Sequence, residues 1–551
     1  MNWFFCVISQ KPFLEWEIER FIKTHPQSKD TLIKPSFYFA YNALEEQTLA
    51  EKPTEDSLYH KIIIGKGFVS KSTGYSQADI TDWKRLFNYE ILPYEIDGHY
   101  MAIKIKEDYF EVSNDALGHY PIYYAQSEGY CIASNRQEFI ASVISKKQWN
   151  YSSVSALALL SLPLQKEPYL KQIQLLKTAS ILKMKPNKMI IGNREINFLN
   201  EQNIDSKNYF FTLKKSFELQ LNENDFVSLP FENTHSSRLA FSIYCNKAKK
   251  TWGLYTQKDY AKYISEHPEK YIDSLILSNL KIQAVPEFNN QDELMSLYKD
   301  YIMSTGLSDL PLFFNLAGNF QKDNDVAQLN LLSAPTELLF DKNPELISLK
   351  LYNFLKNKDF NQFVKNFLPD SIFFRKEFYS FLLKGLKQHF EQTANTMVYT
   401  NSIYDQYHFY LTRYHINLFV TGNSWLNNYR TFYTPGLFYT LLCDHFYQRM
   451  YNDKLIELSQ NLYHNLAPEC IKFPKIKSNK YEINSYPNKN LLYFPLICNT
   501  IGEALEKAEK IPYYDFDKLL KIFKKAKKNK EKAINIILKW YCFETWRNYL
   551  E

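Results

Sequence analysis

The chain has 551 residues, 45% of them hydrophobic and 23% charged, with a formal net charge of +6. That length accommodates two or three domains with sizeable cores, and the composition is ordinary for a globular protein. So small a net charge argues against a nucleic-acid partner, and no run reaches the roughly 18 apolar residues that cross a bilayer. The aromatic share of 17%, with 42 Tyr and 41 Phe, accompanies abundant Asn, Lys and Ile and reflects AT-rich coding rather than function. Cys6, Cys131, Cys245, Cys443, Cys470, Cys498 and Cys542 are scattered without a CxxC or a tight Cys/His spacing. That pattern speaks against a zinc site or disulfide framework and fits a reducing, cytoplasmic setting.

The opening "MNWFFCVISQK" has a short apolar run without a basic flank or a small-residue cleavage site. It reads as a first core strand rather than a signal peptide. Up to residue 145 the pattern is short strands and turns: "KIIIGKGFV", "HYMAIKIKE", "YFEVSND", "YPIYYA" and "GYCIAS". The alternation of Met101, Ile103 and Ile105 marks half-buried antiparallel strands. Within "NDALGHYPIYYAQSEGYCIASN", residues 114–135, Gly118 and Pro121 break regularity and "QSEG" turns a hairpin. "SSVSALALLSLPLQ" predicts a helix capped by Ser152 or Ser153, and "LKTASILKMKPNKMIIGNREINF" a further hairpin. Beyond residue 200 the periods are mostly helical. "DFVSLPF" and "QLNLLSAP" are exceptions, short apolar runs expected as buried parallel strands. Lys518 to Lys532 holds eight lysines interleaved with Leu519, Leu520, Ile522 and Phe523, apolar on one helical face. That run is either the solvated side of a packed helix or a contact for an anionic partner or membrane surface. No internal repeat or disordered linker stands out.

In this order the pieces resemble the asparagine synthetase (class II glutamine amidotransferase) family and its relatives that make amide bonds in peptide and antibiotic pathways. "NDALGHYPIYY" is similar to the family's "RDPLGxxPLYY", "CIASNRQEF" to "FASExKAL", and "IDGHYMAI" to "LxGxFAF". "WNYSSVSALALLSLPL" and "QIQLLKTASILKMKPNK" look like its interdomain helix and "I..LPPG..L" segment. The stretch from "YHFYLTRYHINLFV" to "NLAPECIKFP" has the pattern of its C-terminal helices, with Arg413, Pro435 and Pro468 where an Arg and two prolines are usual. The resemblance implies an α/β protein of two domains. Residues 1–195 would form an antiparallel αββα sandwich of the N-terminal-nucleophile type. Residues 200–551 would form a doubly wound parallel-sheet, PP-loop ATPase-like domain with many helices.

Glutamine hydrolysis in the family needs a cysteine directly after the initiator Met, its freed α-amine acting as base. Here that position is Asn2, whose amide cannot attack a carbonyl, and Cys6 could substitute only if five residues of the first strand were trimmed. The family's "NGEIYN" segment has no recognisable counterpart either. No catalytic residue is assigned, and glutaminase activity is expected to be absent.

Adenylation needs the loop SGGxDS, whose glycines let backbone N–H groups approach phosphate at a helix N-terminus. The corresponding "PFENTHSSR" places Glu232, Asn233, Thr234, His235, Ser236 and Ser237 on the loop, followed by Arg238. Both glycines are gone, the aspartate is replaced by serine, and a carboxylate has appeared. A second motif, SGxGxDExF, reads "SAPTELLF" at 333–340, where Glu337 is the one carboxylate left. A single carboxylate beside a glycine-free loop is a poor metal-assisted phosphate site. Lys472 and Lys475 lie near where the family often keeps a lysine.

The implied protein lacks glutaminase and ATP-pyrophosphatase activity. It would act as a non-catalytic binding or assembly subunit in a peptide or small-molecule modification pathway. An intact asparagine-synthetase-like or other biosynthetic protein is the expected partner, a peptide or small molecule a further ligand, and no cofactor or metal is expected. The alternative is a divergent, active ATP-dependent amide ligase using ammonia or an amine, with ATP and Mg.

Overall fold

The computed structural model describes residues 2–192, 291–313 and 347–397 with short breaks, residues 489–551, and the backbone of five strands at 226–230, 251–256, 280–284, 328–332 and 429–431.

Two antiparallel sheets build the N-terminal region. The first contains β1 (Trp3–Ser9), β2 (Asp30–Lys34), β3 (Phe37–Asn42), β9 (Tyr123–Ser127), β10 (Tyr130–Ser134) and β11 (Gln174–Leu175), in the order β11-β9-β10-β1-β3-β2. The second contains β4 (Thr48–Glu51), β5 (His60–Lys71), β7 (Asp97–Lys106), β8 (Tyr109–Asn114), β12 (Ile181–Lys185) and β13 (Lys188–Gly192), in the order β13-β12-β8-β7-β5-β4. β6 (Gly74–Gln77) adds to β5. The expected strands and the 123–134 hairpin are all present.

Strand periodicity explains the layering. Successive side chains point to opposite faces, so Phe4, Cys6 and Ile8 of β1 meet Ile103, Phe110 and Val112 of the second sheet. Trp3, Phe5 and Val7 point the other way, onto Phe21 of α1 (Glu15–Thr24) and Phe139 of α3 (Gln137–Val143). The far side of the second sheet presents Ile63, Tyr100 and Ala102 to Trp83, Leu86 and Phe87 of α2 (Ile80–Phe87). The result is helix, sheet, sheet, helix.

Two features correct the sequence reading here. The first 145 residues contain α1, α2 and α3 as well as strands. α2 carried a legible signal: Asp79 accepts from the N–H groups of Thr81 and Asp82, and Asp82 accepts from the N–H of Asp79. The helix α4 (Tyr151–Leu159) is preceded by Asn150, and Ser152 and Ser153 lie inside it, bonded to Glu167 rather than capping the backbone.

The five later strands form a parallel sheet. β14 (Phe226–Pro230), β15 (Thr251–Thr256), β16 (Leu280–Ala284), β17 (Gln328–Leu332) and β18 (Tyr429–Thr431) lie in the order β16-β15-β14-β17-β18. Both expected apolar runs are strands of it, whereas β18 falls inside a stretch read as helical.

The remaining described helices are α5 (Gln291–Thr305), α6 (Ile347–Lys356), α7 (Phe360–Phe367), α8 (Lys376–Thr396), α9 (Lys489–Ala508), α10 (Phe516–Lys527) and α11 (Glu531–Leu550). They extend the helical layer on the first sheet. One apolar core runs from Trp3 and Phe139 through Leu157, Tyr298 and Leu386 to Trp540 and Trp546. The lysine run is not one helix: it spans α10, a turn with Asn529 at φ 54°, and the start of α11.

Candidate functional site

Position 2, which the resemblance aligns with a nucleophile, is closed. Asn2 is fully buried at the entry to β1. Its side-chain amide donates to the Tyr120 hydroxyl at 2.9 Å, and its carbonyl accepts from Asn135 Nδ2 at 2.9 Å. Asn135 Oδ1 in turn accepts from the Phe4 N–H at 2.9 Å, and Ser134 Oγ donates to the Phe4 carbonyl at 2.5 Å. Neutral hydrogen bonds therefore lace the end of β1 to β10 and to the segment before β9. A carboxamide has no ionisable proton to give or take, and this one has no contact with solvent.

Cys6 offers no substitute. It lies in the core between the sheets, paired in register with Ala133 and Phe39. Burial, with Cys131 nearby, pushes its thiol well above the ordinary range, and the thiolate is the form that attacks. Trimming five residues would also remove Trp3, Phe4 and Phe5 from the seven-residue β1, the strand joining β3 to β10.

The best-preserved motif proves to be a brace. Asn114 Oδ1 accepts from the Ser180 N–H at 3.1 Å, while its Nδ2 donates to the Lys177 carbonyl at 3.2 Å. The Asp115 carbonyl accepts from the N–H groups of Gly118 and Ala179, both at 3.1 Å. Gly118 sits at φ 68°, and a Cβ there would lie 2.9 Å from Thr178 Cγ2. Asn114, Asp115 and Gly118 thus tie the hairpin to residues 177–180, which explains the glycine.

The segments expected to bind nucleotide follow two strands of the parallel sheet. From β14 the chain builds outward through β15 to β16, then returns to the other side of β14 for β17 and β18. Ser228 is level with Asn330, so β14 and β17 end side by side at Pro230 and Leu332. Where strand order reverses in this way, the loops at the carboxyl ends diverge and leave a crevice. In sequence, residues 231 and 333 follow directly on those two strand ends. Glu232, Asn233, Thr234, His235, Ser236, Ser237, Arg238 and Glu337 lie outside the described residues, as do Arg413, Pro435, Pro468, Lys472 and Lys475.

Two buried polar networks gave no sequence signal. The Arg136 guanidinium reaches Glu138 on α3 and Asp300 on α5, the latter at 2.9 Å, and so links the first sheet to the later helices. Burial opposes its charge, but those two carboxylates outweigh burial and hold it protonated. The second network surrounds His389 of α8, fully buried with Nδ1 3.4 Å from Glu167 Oε2. Ser153 Oγ donates to that same oxygen at 2.9 Å, and Gln165 donates to the other. Burial pushes the Glu167 carboxyl up; His389, Ser153 and Gln165 together bring it below the usual carboxylate range. Nearby, Lys539 donates to the Leu159 carbonyl at the end of α4, and burial lowers its amine to about 8. Among the described residues no group of three His, Cys, Asp or Glu side chains is arranged to hold a metal.

No protein-family model matches the chain, and no curated protein matches it. Among solved structures it is similar to the glutamine phosphoribosylpyrophosphate amidotransferase from B. subtilis complexed with ADP and GMP. That likeness has 8% identity and a TM-score of 0.24, and covers 51% of this chain and 81% of that one. It is also similar to the allosteric regulatory enzyme of purine biosynthesis, at 8% identity and a TM-score of 0.22, over 51% of this chain and 80% of that one. Likenesses this loose carry no argument about chemistry.

Proposed function

We propose that this chain is an asparagine-synthetase-like protein that neither hydrolyses glutamine nor adenylates a carboxylate. It serves as a non-catalytic binding or assembly subunit in a peptide or small-molecule modification pathway. The observation that carries the reading is Asn2: a fully buried carboxamide, hydrogen-bonded to Tyr120 and Asn135, where the family has its nucleophile. The loss of both glycines from the 232–238 segment supports the second half. A carboxylate such as Glu232 about 4 Å from a phosphate charge costs on the order of 4 kcal/mol at an effective dielectric of 20. Half of that is roughly a thirtyfold loss of affinity.

A second reading, an active ATP-dependent amide ligase with a reworked site, draws support from the strand order, which reverses at β14 and ends β14 and β17 side by side. His235 and Arg238 would then supply charge to phosphate, and Glu232 and Glu337 the carboxylates for magnesium. Calorimetry of the full chain with ATP and magnesium separates the two. Weak or absent binding is expected; a low-micromolar Kd lost on Arg238→Ala would establish the ligase instead.

A further inference from the structure

Residues 515–532 carry eight lysines against Asp515, Asp517 and Glu531, a formal +5 out of the chain's +6. AT-rich coding does not explain this density, because lysine and arginine together make up only 66 of 551 residues. The structure sorts the segment cleanly. Leu519, Phe523 and Ala526 of α10 are buried, with α10 packed on α11. At about 100° per residue, Lys521, Lys524, Lys525 and Lys528 fall on the opposite side, and all are exposed. Lys527, Lys530 and Lys532 are exposed beside them. Lys518 is paired with Asp515 at 2.7 Å, and exposed Asp517 lies at the N-terminal end of the same face. Lysines in the last turn favour the negative end of the helix, which accounts for Lys524, Lys525 and Lys527 but not for Lys521, Lys530 or Lys532.

We propose that this face docks the protein peripherally on an anionic lipid bilayer. The choice of occupant follows from what the face offers, which is charge and little else. Residues 515–546 contain no arginine for bidentate phosphate contacts, and Phe523 is buried rather than available for base stacking. A protein partner engages through apolar or aromatic anchors, with lysine depleted at the centre of the contact, and the exposed positions here are lysines. A dense basic helix surface is sufficient for an anionic bilayer. The apolar side of α10 is committed to the core, and no described helix is long and apolar enough to cross a membrane. Attachment is therefore electrostatic, without insertion, and independent of whether residues 232–238 bind nucleotide.

The test is co-sedimentation of the full chain with vesicles of phosphatidylcholine alone or mixed equally with phosphatidylglycerol. Binding is expected only to the mixed vesicles, with release at about 1 M salt, where the Debye length is about 3 Å. At about fivefold per lysine, changing Lys521, Lys524, Lys525 and Lys528 together to Gln should weaken binding at least about a hundredfold. Changing the same four to Arg should preserve it, and circular dichroism should show both variants folded. Failure to bind the mixed vesicles, equal binding to both kinds, or unchanged binding by the Gln variant would overturn the proposal. So would tighter binding to polyglutamate or duplex DNA than to the mixed vesicles at equal anion concentration, which would reassign the face.

Discussion

Gly385→Ala sets two effects of opposite sign against each other. In an exposed helix the change stabilises by about 1 kcal/mol, because alanine is the better helix former. Gly385, however, lies in α8 where it crosses α4. A Cβ there would sit 2.2 Å from Ser155 Oγ, 2.6 Å from the Tyr151 carbonyl oxygen and 3.0 Å from Ser155 Cβ. The hydroxyl can rotate away, but the carbonyl is helix backbone and yields only if the two helices separate. Overpacking of this kind typically costs about 1–3 kcal/mol. With two backbone-anchored contacts to relieve, we take the upper part of that range, so the net expectation is a loss of about 1–2 kcal/mol. Urea unfolding followed by tryptophan fluorescence reads it as a lower midpoint at unchanged slope. Ser155→Ala on the same background removes the 2.2 Å contact and leaves the carbonyl, so it should restore only part of the loss. Stabilisation of the single variant by about 1 kcal/mol, the propensity value, would refute the close crossing of α4 and α8.

Arg136→Met leaves Glu138 buried without its cation, and should destabilise by about 3–5 kcal/mol; the double change with Glu138→Met should cost clearly less, as read by thermal unfolding. Glu167 has its folded carboxyl held below the ordinary range, so its contribution is full above the unfolded value of about 4.3 and fades as pH falls through the folded one. Urea midpoints between about pH 6 and pH 3 should therefore fall less steeply for Glu167→Gln than for the unmodified chain. Iodoacetamide should label partly exposed Cys498 well before Cys6, whose thiol is buried and raised, with peptide mass spectrometry as the readout. Rapid labelling of Cys6 in the folded chain would contradict its place between the sheets.

Legibility in the sequence followed the kind of force involved. Burial on both faces left its mark in the continuous apolar run of β1, so that strand could be read from pattern alone, whereas β7, read as half-buried from Met101, Ile103 and Ile105, also has Tyr100 and Ala102 buried against α2. The "NDALG" turn was readable because backbone geometry at Gly118 restricts which residues fit. α1 and α2 were missed because short amphipathic helices interrupt a strand-rich region, although the Asp79–Asp82 box marked one of them. β18 has three residues inside a helical pattern, too few for periodicity to register. The Arg136 and His389 networks join residues 164 and 222 positions apart, respectively Arg136 with Asp300 and Glu167 with His389. Such pairings leave no local pattern. At the candidate site the sequence identified Asn2 as a chemically inert residue, but only the fold reveals that Tyr120 and Asn135 enclose it.

The proposal rests above all on the expected absence of glutaminase activity from this chain. Incubating the purified full chain with glutamine and quantifying released glutamate and ammonia tests this directly. Release indistinguishable from a buffer control is expected, with or without ATP, because a buried carboxamide at position 2 provides no nucleophile and Cys6 is sealed between two sheets. Glutamate release above that control, abolished by Cys6→Ser or accompanied by a mature N-terminus at Cys6, would contradict it.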